Sequence, residues 1–213
     1  MKKYFAIIIL GLIGITYSSC KKQDFNYPEG YVGISKVTKY ATFTMKGDVY
    51  QSIVKGGTYT EQGVTAKEGS SDLTVKVSGS VNTAAVGLYI ITYSAVNGDG
   101  FPATVNRYIA ILPSAETAGA NIAGDYNYAT GGTTSTITKL APGFYQASNI
   151  WSAATTISAY LLSVDGQSII VPSQATAFGT LSGTGTLAGS SLKYVVSIPE
   201  QGINNSTRSW VKK

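Results

Sequence analysis

The chain has 213 residues, of which 44% are hydrophobic and 13% are charged, about half the usual share of charged residues. Its formal net charge is +5. Lysines near the N-terminus supply much of this excess, so composition does not predict the clustered basic face of a nucleic-acid-binding protein. There is no histidine and only one cysteine. These counts exclude Ser-His-Asp triads, Cys-His pairs, His-ligated metals and internal disulfides.

The first twenty residues predict an exported protein with a lipid anchor. Two lysines precede an apolar run of 11 residues at positions 5–15, which is shorter than the ~20 residues of a transmembrane helix and typical of a secretory signal. Two serines and then Cys20 follow, a pattern that resembles a bacterial lipobox despite Tyr17 in place of an aliphatic residue. The resemblance implies cleavage after residue 19 and diacylation of Cys20. The alternative is an ordinary signal peptide (1–19) with an incidental cysteine.

Residues 20–35 predict a tether that follows the lipidated cysteine. The stretch is polar and contains Pro28 and Gly30 as structure breakers. Lys22-Gln23-Asp24 partly matches the charged export tag of Bacteroidetes lipoproteins. We therefore expect a lipid-anchored outer-membrane protein that faces the cell exterior.

Residues 36–112 read as short strands separated by turns. Asp72 to Val77 alternates apolar and polar side chains, which predicts one half-buried antiparallel strand. Gly87 to Ala95 is rich in residues that favour strands, and Thr104 to Leu112 is its expected partner. Between them, Asn97-Gly98-Asp99-Gly100 predicts a hairpin turn. The same turn has too few acids for a calcium shell, so we predict no metal here.

Several motifs in this stretch resemble one family of domains. The motifs occur in order at Gly57-Thr58-Tyr59-Thr60, Asp72-Leu73-Thr74-Val75, Val86-Gly87-Leu88-Tyr89 and Arg107. Together they resemble the bacterial immunoglobulin-like domain of pesticidal crystal proteins and many surface proteins. The resemblance implies a seven-strand-type sandwich at 36–112, which in that family is usually a spacer or adhesion module without a site of its own.

A second β-domain is predicted at 122–213, after a linker at 113–121. Gly124-Asp125-Tyr126, a Thr-rich strand and Gly143-Phe144-Tyr145 precede a final Trp210-Val211-Lys212-Lys213. Asp165-Gly166 predicts a hairpin between two strands. The pattern resembles the C-terminal domain, of unknown function, in Bacteroidetes lipoproteins that begin with an immunoglobulin-like domain. The predicted fold class is therefore all-β: an immunoglobulin-like sandwich and a C-terminal antiparallel sandwich or barrel.

The second domain offers little catalytic chemistry. Its acids are Asp125, Asp165 and Glu200, which show no spacing typical of a glycosidase pair. We therefore predict no catalytic residues, cofactor or metal, and keep a carboxylate hydrolase built on Asp125 and Asp165 only as a distant alternative.

Aromatic residues leave one candidate ligand site in the second domain. Trp151 lies in a polar stretch between predicted strands, where its indole ring could stack on a sugar while Asn149 or Tyr145 supplies hydrogen bonds. The alternative is that Trp151 caps the core.

The function predicted from the sequence is non-catalytic binding at the cell surface. The leading interpretation is a glycan-binding accessory lipoprotein of a polysaccharide-uptake system, held in the membrane through Cys20 and working beside an outer-membrane transporter. The alternative is a structural or adhesive lipoprotein that binds another protein. Neither interpretation involves nucleic acid.

Overall fold

A computed structural model of the chain describes residues 26–33 and 35–213. The predicted signal peptide (1–19), the lipidated Cys20 and the start of the tether lie outside these residues. The chain divides into two compact units, residues 1–39 and 40–213. In the first, β1 (Tyr31–Val32) pairs antiparallel with β2 (Ser35–Lys36). Within the described residues no helix has the length and apolar character needed to cross a membrane.

The second unit begins with a sandwich of two sheets. One sheet has the order β3-β5-β6 and the other β4-β9-β8-β7. All neighbours are antiparallel except β4 and β9, which run parallel. The strands are β3 (Thr42–Met45), β4 (Tyr50–Val54), β5 (Val64–Glu68), β6 (Ser71–Leu73), β7 (Lys76–Ser78), β8 (Gly87–Val96) and β9 (Pro102–Leu112).

The hairpin predicted between residues 87 and 112 is confirmed. β8 and β9 pair from Gly87↔Ile111 to Val96↔Pro102, and the turn between them contains Gly100 with a φ of 87°. Alternate β8 residues from Ile91 to Ala95 point into the sandwich core, as period-two patterning requires. The long, strand-favouring sequence is thus sufficient to predict this central pair.

The single strand predicted from Asp72 to Val77 is wrong. The chain leaves the first sheet after Leu73, which pairs with Ala66, and joins the second sheet at Lys76. Val75 packs on the core between the sheets, whereas Val77 is 57% exposed. A crossing between two sheets and a continuous edge strand share the same local alternation, so the sequence pattern does not distinguish them.

The rest of the unit is a closed antiparallel barrel of eight strands in chain order. β10 pairs with β17, which closes the barrel. The barrel strands are β10 (Gly124–Tyr128), β11 (Thr134–Ala141), β12 (Phe144–Ala147), β13 (Ala159–Leu162), β14 (Ser168–Thr176), β15 (Gly179–Ala188), β16 (Ser191–Ile198) and β17 (Ile203–Lys212). A short 3-10 helix, Pro199–Gln201, joins the last two. The predicted all-β class is confirmed. Of the two alternatives predicted for the second domain, a sandwich or a barrel, the structure shows the barrel.

Side chains fill the barrel interior, as is common for eight strands. The largest of these side chains are aromatic, and Tyr126, Tyr145, Tyr194 and Trp210 are each at most 1% exposed. Burial raises the pKa of Tyr126 to about 12, so these phenols remain neutral at physiological pH.

A small apolar cluster joins the sandwich to the barrel. Ala110 and Leu112 of β9 face outward from the sandwich, yet both are at most 2% exposed because Phe144 and Leu162 of the barrel cover them. Around this contact, the ring centroids of Tyr108 and Tyr160 lie 5.0 Å apart. The sandwich and barrel therefore share buried surface within one compact unit.

The segment predicted as a linker, 113–121, also contacts the barrel. Glu116 accepts hydrogen bonds from the backbone N–H of Gly143 at 2.9 Å and the hydroxyl of Tyr145 at 3.0 Å, and Lys139 donates to it at 2.8 Å. Burial raises the pKa of Glu116, but these three donors outweigh it and the pKa is lowered overall. The charged carboxylate thus ties the connecting segment to β11 and β12.

Candidate functional site

Trp151 lies at the end of the barrel that is remote from the sandwich. Because consecutive strands are neighbours throughout the barrel, its connections alternate between two ends. The sandwich contacts Phe144 and Leu162, which flank connections at one end. The opposite end, here called the distal end, is formed by the connections at 129–133, 148–158, 177–178 and 199–202.

The 148–158 connection is the longest at the distal end, and it is held in shape by Asn149. The carboxamide oxygen of Asn149 accepts the backbone N–H groups of Trp151 at 2.8 Å and Ile157 at 3.2 Å, and its nitrogen donates to the carbonyl of Ser152 at 2.9 Å. Ile150 and Ile157 then turn into the barrel and are at most 4% exposed. The loop is therefore a fixed platform for Trp151.

A hollow of about 190 Å³ lies beside this platform. Its lining is about equally polar and apolar, and two walls are aromatic: Trp151 is half-buried, and Phe178 from the β14–β15 turn is 39% exposed. Gln201 lies on the 3-10 helix, and its side-chain nitrogen donates to the carbonyl of Phe178 at 3.0 Å. The lining residues are Trp151, Thr155, Ile157, Phe178, Ile198, Gln201 and Ile203. Aromatic walls and a few polar groups in a fixed concavity are typical of ligand sites.

Arg208 lies against the indole of Trp151. The guanidinium carbon is 3.7 Å from the ring centroid, which is close enough for a cation–π contact. Arg208 points to the same side of β17 as the buried Trp210. Its register partner on the neighbouring strand β16 is Tyr194. Its Nε is buried and has no hydrogen-bond partner. The site therefore combines apolar walls with a fixed positive charge.

The three residues proposed from the sequence as ligand contacts occupy different environments. Trp151 and Asn149 are adjacent, but Asn149 is only 3% exposed and its carboxamide is used within the loop. Tyr145 is fully buried among the barrel side chains, where burial and its bond to Glu116 raise the pKa of its phenol. Of the three, only Trp151 presents its side chain to the hollow.

Sequence reasoning missed Phe178 and Arg208. Phe178 is an aromatic residue directly before Gly179 in a two-residue turn, and an aromatic at a turn tip is a detectable signal for exposure. Arg208 is the only arginine after residue 107. Its contact with Trp151, however, depends on a loop and a strand that are more than 50 residues apart in sequence.

The carboxylates of the barrel are engaged locally. Asp165 accepts backbone N–H bonds from Gln167 at 2.8 Å and Ser168 at 2.6 Å, and Asp125 accepts the hydroxyl of Thr136 at 2.7 Å. Hydrogen bonding to Ser168 lowers the pKa of Asp165, which is opposite to the raised pKa of a general acid. In the described residues, no group of three or more His, Cys, Asp or Glu side chains could hold a metal.

A larger depression of about 610 Å³ follows the β10–β11 turn. Glycine, alanine and threonine supply most of its lining, and Tyr128 is its one aromatic residue. Since it lacks charged side chains and a second aromatic wall, it offers a ligand fewer specific contacts than the hollow beside Trp151.

The chain's other arginine, Arg107, lies inside the sandwich, where both of its Nη groups have hydrogen-bond partners and its buried Nε has none. It is 0% exposed and donates to a carboxylate oxygen of Glu61 and to the carbonyl of Lys46. The hydroxyls of Tyr59 and Tyr93 donate to the same carboxylate. Burial together with this carboxylate raises the pKa of Tyr59 to about 12. Arg107 is thus held from inside the sandwich by Glu61, which lies on the β4–β5 loop with its side chain 30% exposed.

Comparison with known families assigns the sandwich. Residues 43–111 match the family model described as "Bacterial surface protein, Ig-like domain". The matched range spans β3 to β9, and it confirms the resemblance to a bacterial immunoglobulin-like domain. No curated protein matches the chain.

Solved structures show weaker similarity. A lipoprotein from Bacteroides thetaiotaomicron shares 22% identity at a TM-score of 0.39, covering 82% of this chain and all of that one. Two structures of ZmpB from Clostridium perfringens also match. The M60 catalytic domain with two CBM51 domains gives 15% identity and a TM-score of 0.31, covering 75% of this chain and 14% of that one. The structure of CBM51-2 in complex with GlcNAc and INT domains gives 17% identity and a TM-score of 0.30, covering 72% of this chain and 29% of that one.

Proposed function

We propose that this protein is a non-catalytic surface lipoprotein that binds a polysaccharide in the hollow beside Trp151. The observation that carries the proposal is the hollow itself. It places two partly exposed aromatic side chains, Trp151 and Phe178, around an apolar floor on a loop held by Asn149. Flat apolar faces of sugar rings pack on such walls, and the polar side chains of Thr155 and Gln201 can meet ring hydroxyls.

The arrangement of the molecule supports this role. The match of residues 43–111 to a domain of bacterial surface proteins supports a location at the cell surface. The sandwich lies between the predicted tether and the barrel in the chain, and the hollow is at the barrel end remote from the sandwich. We propose an outer-membrane location facing the exterior, anchored by lipid on Cys20, where the barrel captures polysaccharide for a neighbouring transporter.

The glycan proposal is tested by affinity electrophoresis of the purified full chain against a panel of neutral and acidic polysaccharides. We expect at least one polysaccharide to retard the protein. Trp151→Ala should weaken that binding by about 2 kcal/mol, roughly thirtyfold in Kd, as for an interface tryptophan. The matched control is Phe101→Ala, which removes an aromatic ring that is 46% exposed on the sandwich. Retention that is unchanged in Trp151→Ala, or no retention by any polysaccharide, would contradict the proposal.

The anchor is tested separately by labelling expressing cells with radioactive palmitate. We expect label on the chain and none on Cys20→Ala, because the cysteine thiol is the acceptor. Label that persists in Cys20→Ala, or its absence from the wild-type chain, would show that this anchor is not used.

A further inference from the structure

The chain contains two arginines, and within the described residues only one has an anionic partner. Arg107 is bonded to Glu61 inside the sandwich. Arg208 forms no salt bridge or hydrogen bond with the described residues, and its guanidinium lies over the face of Trp151. Arginine is the residue best suited to bidentate binding of carboxylate, sulfate or phosphate groups. An arginine held rigidly but without such a group is therefore informative.

The guanidinium of Arg208 is positioned rather than mobile. It stacks at 3.7 Å on an indole whose loop is held by the carboxamide of Asn149, and its own Nε is buried. The two terminal Nη groups are not among the buried atoms without partners, so they reach solvent. Their N–H donors are consequently accessible to solvent beside Trp151, a wall of the hollow.

The surroundings leave this charge largely uncompensated. The barrel, from residue 122 onward, carries five basic and three acidic side chains. The acid nearest in the fold to the hollow is Glu200, which precedes the lining residue Gln201. Its carboxylate accepts the backbone N–H of Thr180 at 3.0 Å and lies 2.6 Å from the position that a Cβ on Gly179 would take. Glu200 is thus engaged on the β15 side and does not pair with Arg208.

We propose that Arg208 binds the acidic group of an acidic polysaccharide whose sugar ring occupies the Trp151 hollow. This inference rests on the proposed function and adds the class of ligand: uronic-acid or sulfated glycans in preference to neutral ones. The sugar ring contacts the apolar walls, while its carboxylate or sulfate accepts two parallel N–H bonds from the Nη groups. The stack on Trp151 keeps the guanidinium in place, so little side-chain entropy is lost on binding.

The test compares polymers that differ only in charge. Polygalacturonate is paired with its methyl ester, and dextran sulfate with dextran, in affinity electrophoresis of the full chain at low salt. We expect retention by at least one charged polymer and on the order of tenfold weaker retention by its neutral counterpart, as for hydrogen bonds to charged groups. Arg208→Gln should abolish this preference, and Arg208→Lys should restore it only in part because a lysine cannot bind bidentately.

The matched control is Lys193→Gln, which removes the same charge from an exposed position on β16. Its charge preference should equal that of the wild type, whereas equal losses in Lys193→Gln and Arg208→Gln would overturn a specific site in favour of general attraction. Equal binding of charged and neutral polymers that depends on Trp151 would overturn the role of Arg208 and leave the proposed function intact. If neither the charged nor the neutral polymers bind, and no polysaccharide of the panel described above binds, both the role of Arg208 and the proposed glycan-binding function would be overturned.

Discussion

The sandwich and the barrel each contain one arginine, and the two are used in opposite ways. In the sandwich, Arg107 is enclosed and its charge is balanced by Glu61 and by backbone carbonyls. In the barrel, the half-buried Arg208 lies against Trp151, and no acid of the described residues pairs with it. The sandwich therefore uses its buried arginine in an ion pair of its own, whereas the barrel has a packed apolar interior and keeps its arginine available.

This difference indicates how the two regions divide stability and function. The sandwich core has four fully buried apolar side chains, which are Ile91, Tyr93, Ile109 and Ile111, and it needs the polar cluster to complete its interior. The barrel core contains eighteen buried residues and can dispense with ionic groups. A region with a large apolar core can hold a charged side chain at its end without using it for folding.

The largest expected effect is from Arg107→Met in the sandwich. The change leaves Glu61 and the carbonyl of Lys46 without their common donor, while Tyr59 and Tyr93 still donate to Glu61. Arg107 donates two charged hydrogen bonds, one to the Glu61 side chain, which is 30% exposed, and one to the carbonyl of Lys46, and their loss costs about 3 kcal/mol. Hydrogen exchange should show faster opening of β8 and β9. The fluorescence of Trp151 and Trp210, which are the only tryptophans and both lie in the barrel, should report a smaller change.

A double variant distinguishes the ion pair from simple loss of packing. Arg107→Met with Glu61→Gln removes the unpaired charge, so it should be more stable than Arg107→Met alone. Equal stability of the single and double variants would show that Glu61 is sufficiently solvated to need no partner, and the contrast with the barrel would then fail.

The barrel should instead be most sensitive to steric change, and Gly183→Ala tests this. A Cβ on Gly183 would lie 2.2 Å from the carbonyl oxygen of Val195 and 2.8 Å from the Cα of Val196. The backbone of β15 or β16 must therefore move, at a cost of about 2 kcal/mol, as for overpacked cores. Tryptophan fluorescence during urea denaturation should show a lower midpoint.

The control for this variant is Thr186→Ala in the same strand, where the side chain is exposed. It should change stability by no more than about 0.5 kcal/mol. If the two variants are equally stable, close approach of β15 and β16 is not a requirement of the closed barrel.

Much of this fold was predictable from local patterns, but its closure was not. Strand preference and the turn at 97–100 predicted the β8–β9 hairpin. β15 was missed because Gly183 and Gly185 disfavour strands when considered alone. In the barrel these glycines face inward and make room for Val196 and Tyr194, an environment created by the neighbouring strand.

The candidate site was predictable only in part. Trp151 was identifiable because an indole in a polar stretch is unusual. Asn149, by contrast, carries side-chain donors and acceptors that suit a ligand and a loop equally well, and only the structure shows that the loop uses them. The partnership of Arg208 with Trp151 depends on barrel closure, which no local pattern encodes.

The smallest expected effect is a dependence of sandwich stability on pH. Burial raises the pKa of the Glu61 carboxyl, but hydrogen bonds from Tyr59, Tyr93 and the N–H of Gly63, together with Arg107, outweigh it and lower the pKa below the ordinary value of 4.5. A carboxyl whose pKa is lower when folded stabilises the fold fully above its unfolded pKa, and this contribution is lost as the pH falls through the folded pKa.

Hydrogen exchange at β8 and β9 should therefore show constant protection above about pH 5 and declining protection in more acidic buffer. In Glu61→Gln, the decline should become shallower, because the variant cannot be protonated at this position. Glu116 also has a lowered pKa but binds Lys139 of the barrel, so Glu116→Gln serves as the matched variant. If the decline of protection at β8 and β9 becomes shallower in Glu116→Gln but not in Glu61→Gln, the pH dependence would arise from Glu116 in the connecting segment. The Arg107 cluster would then be a pH-independent element of the sandwich.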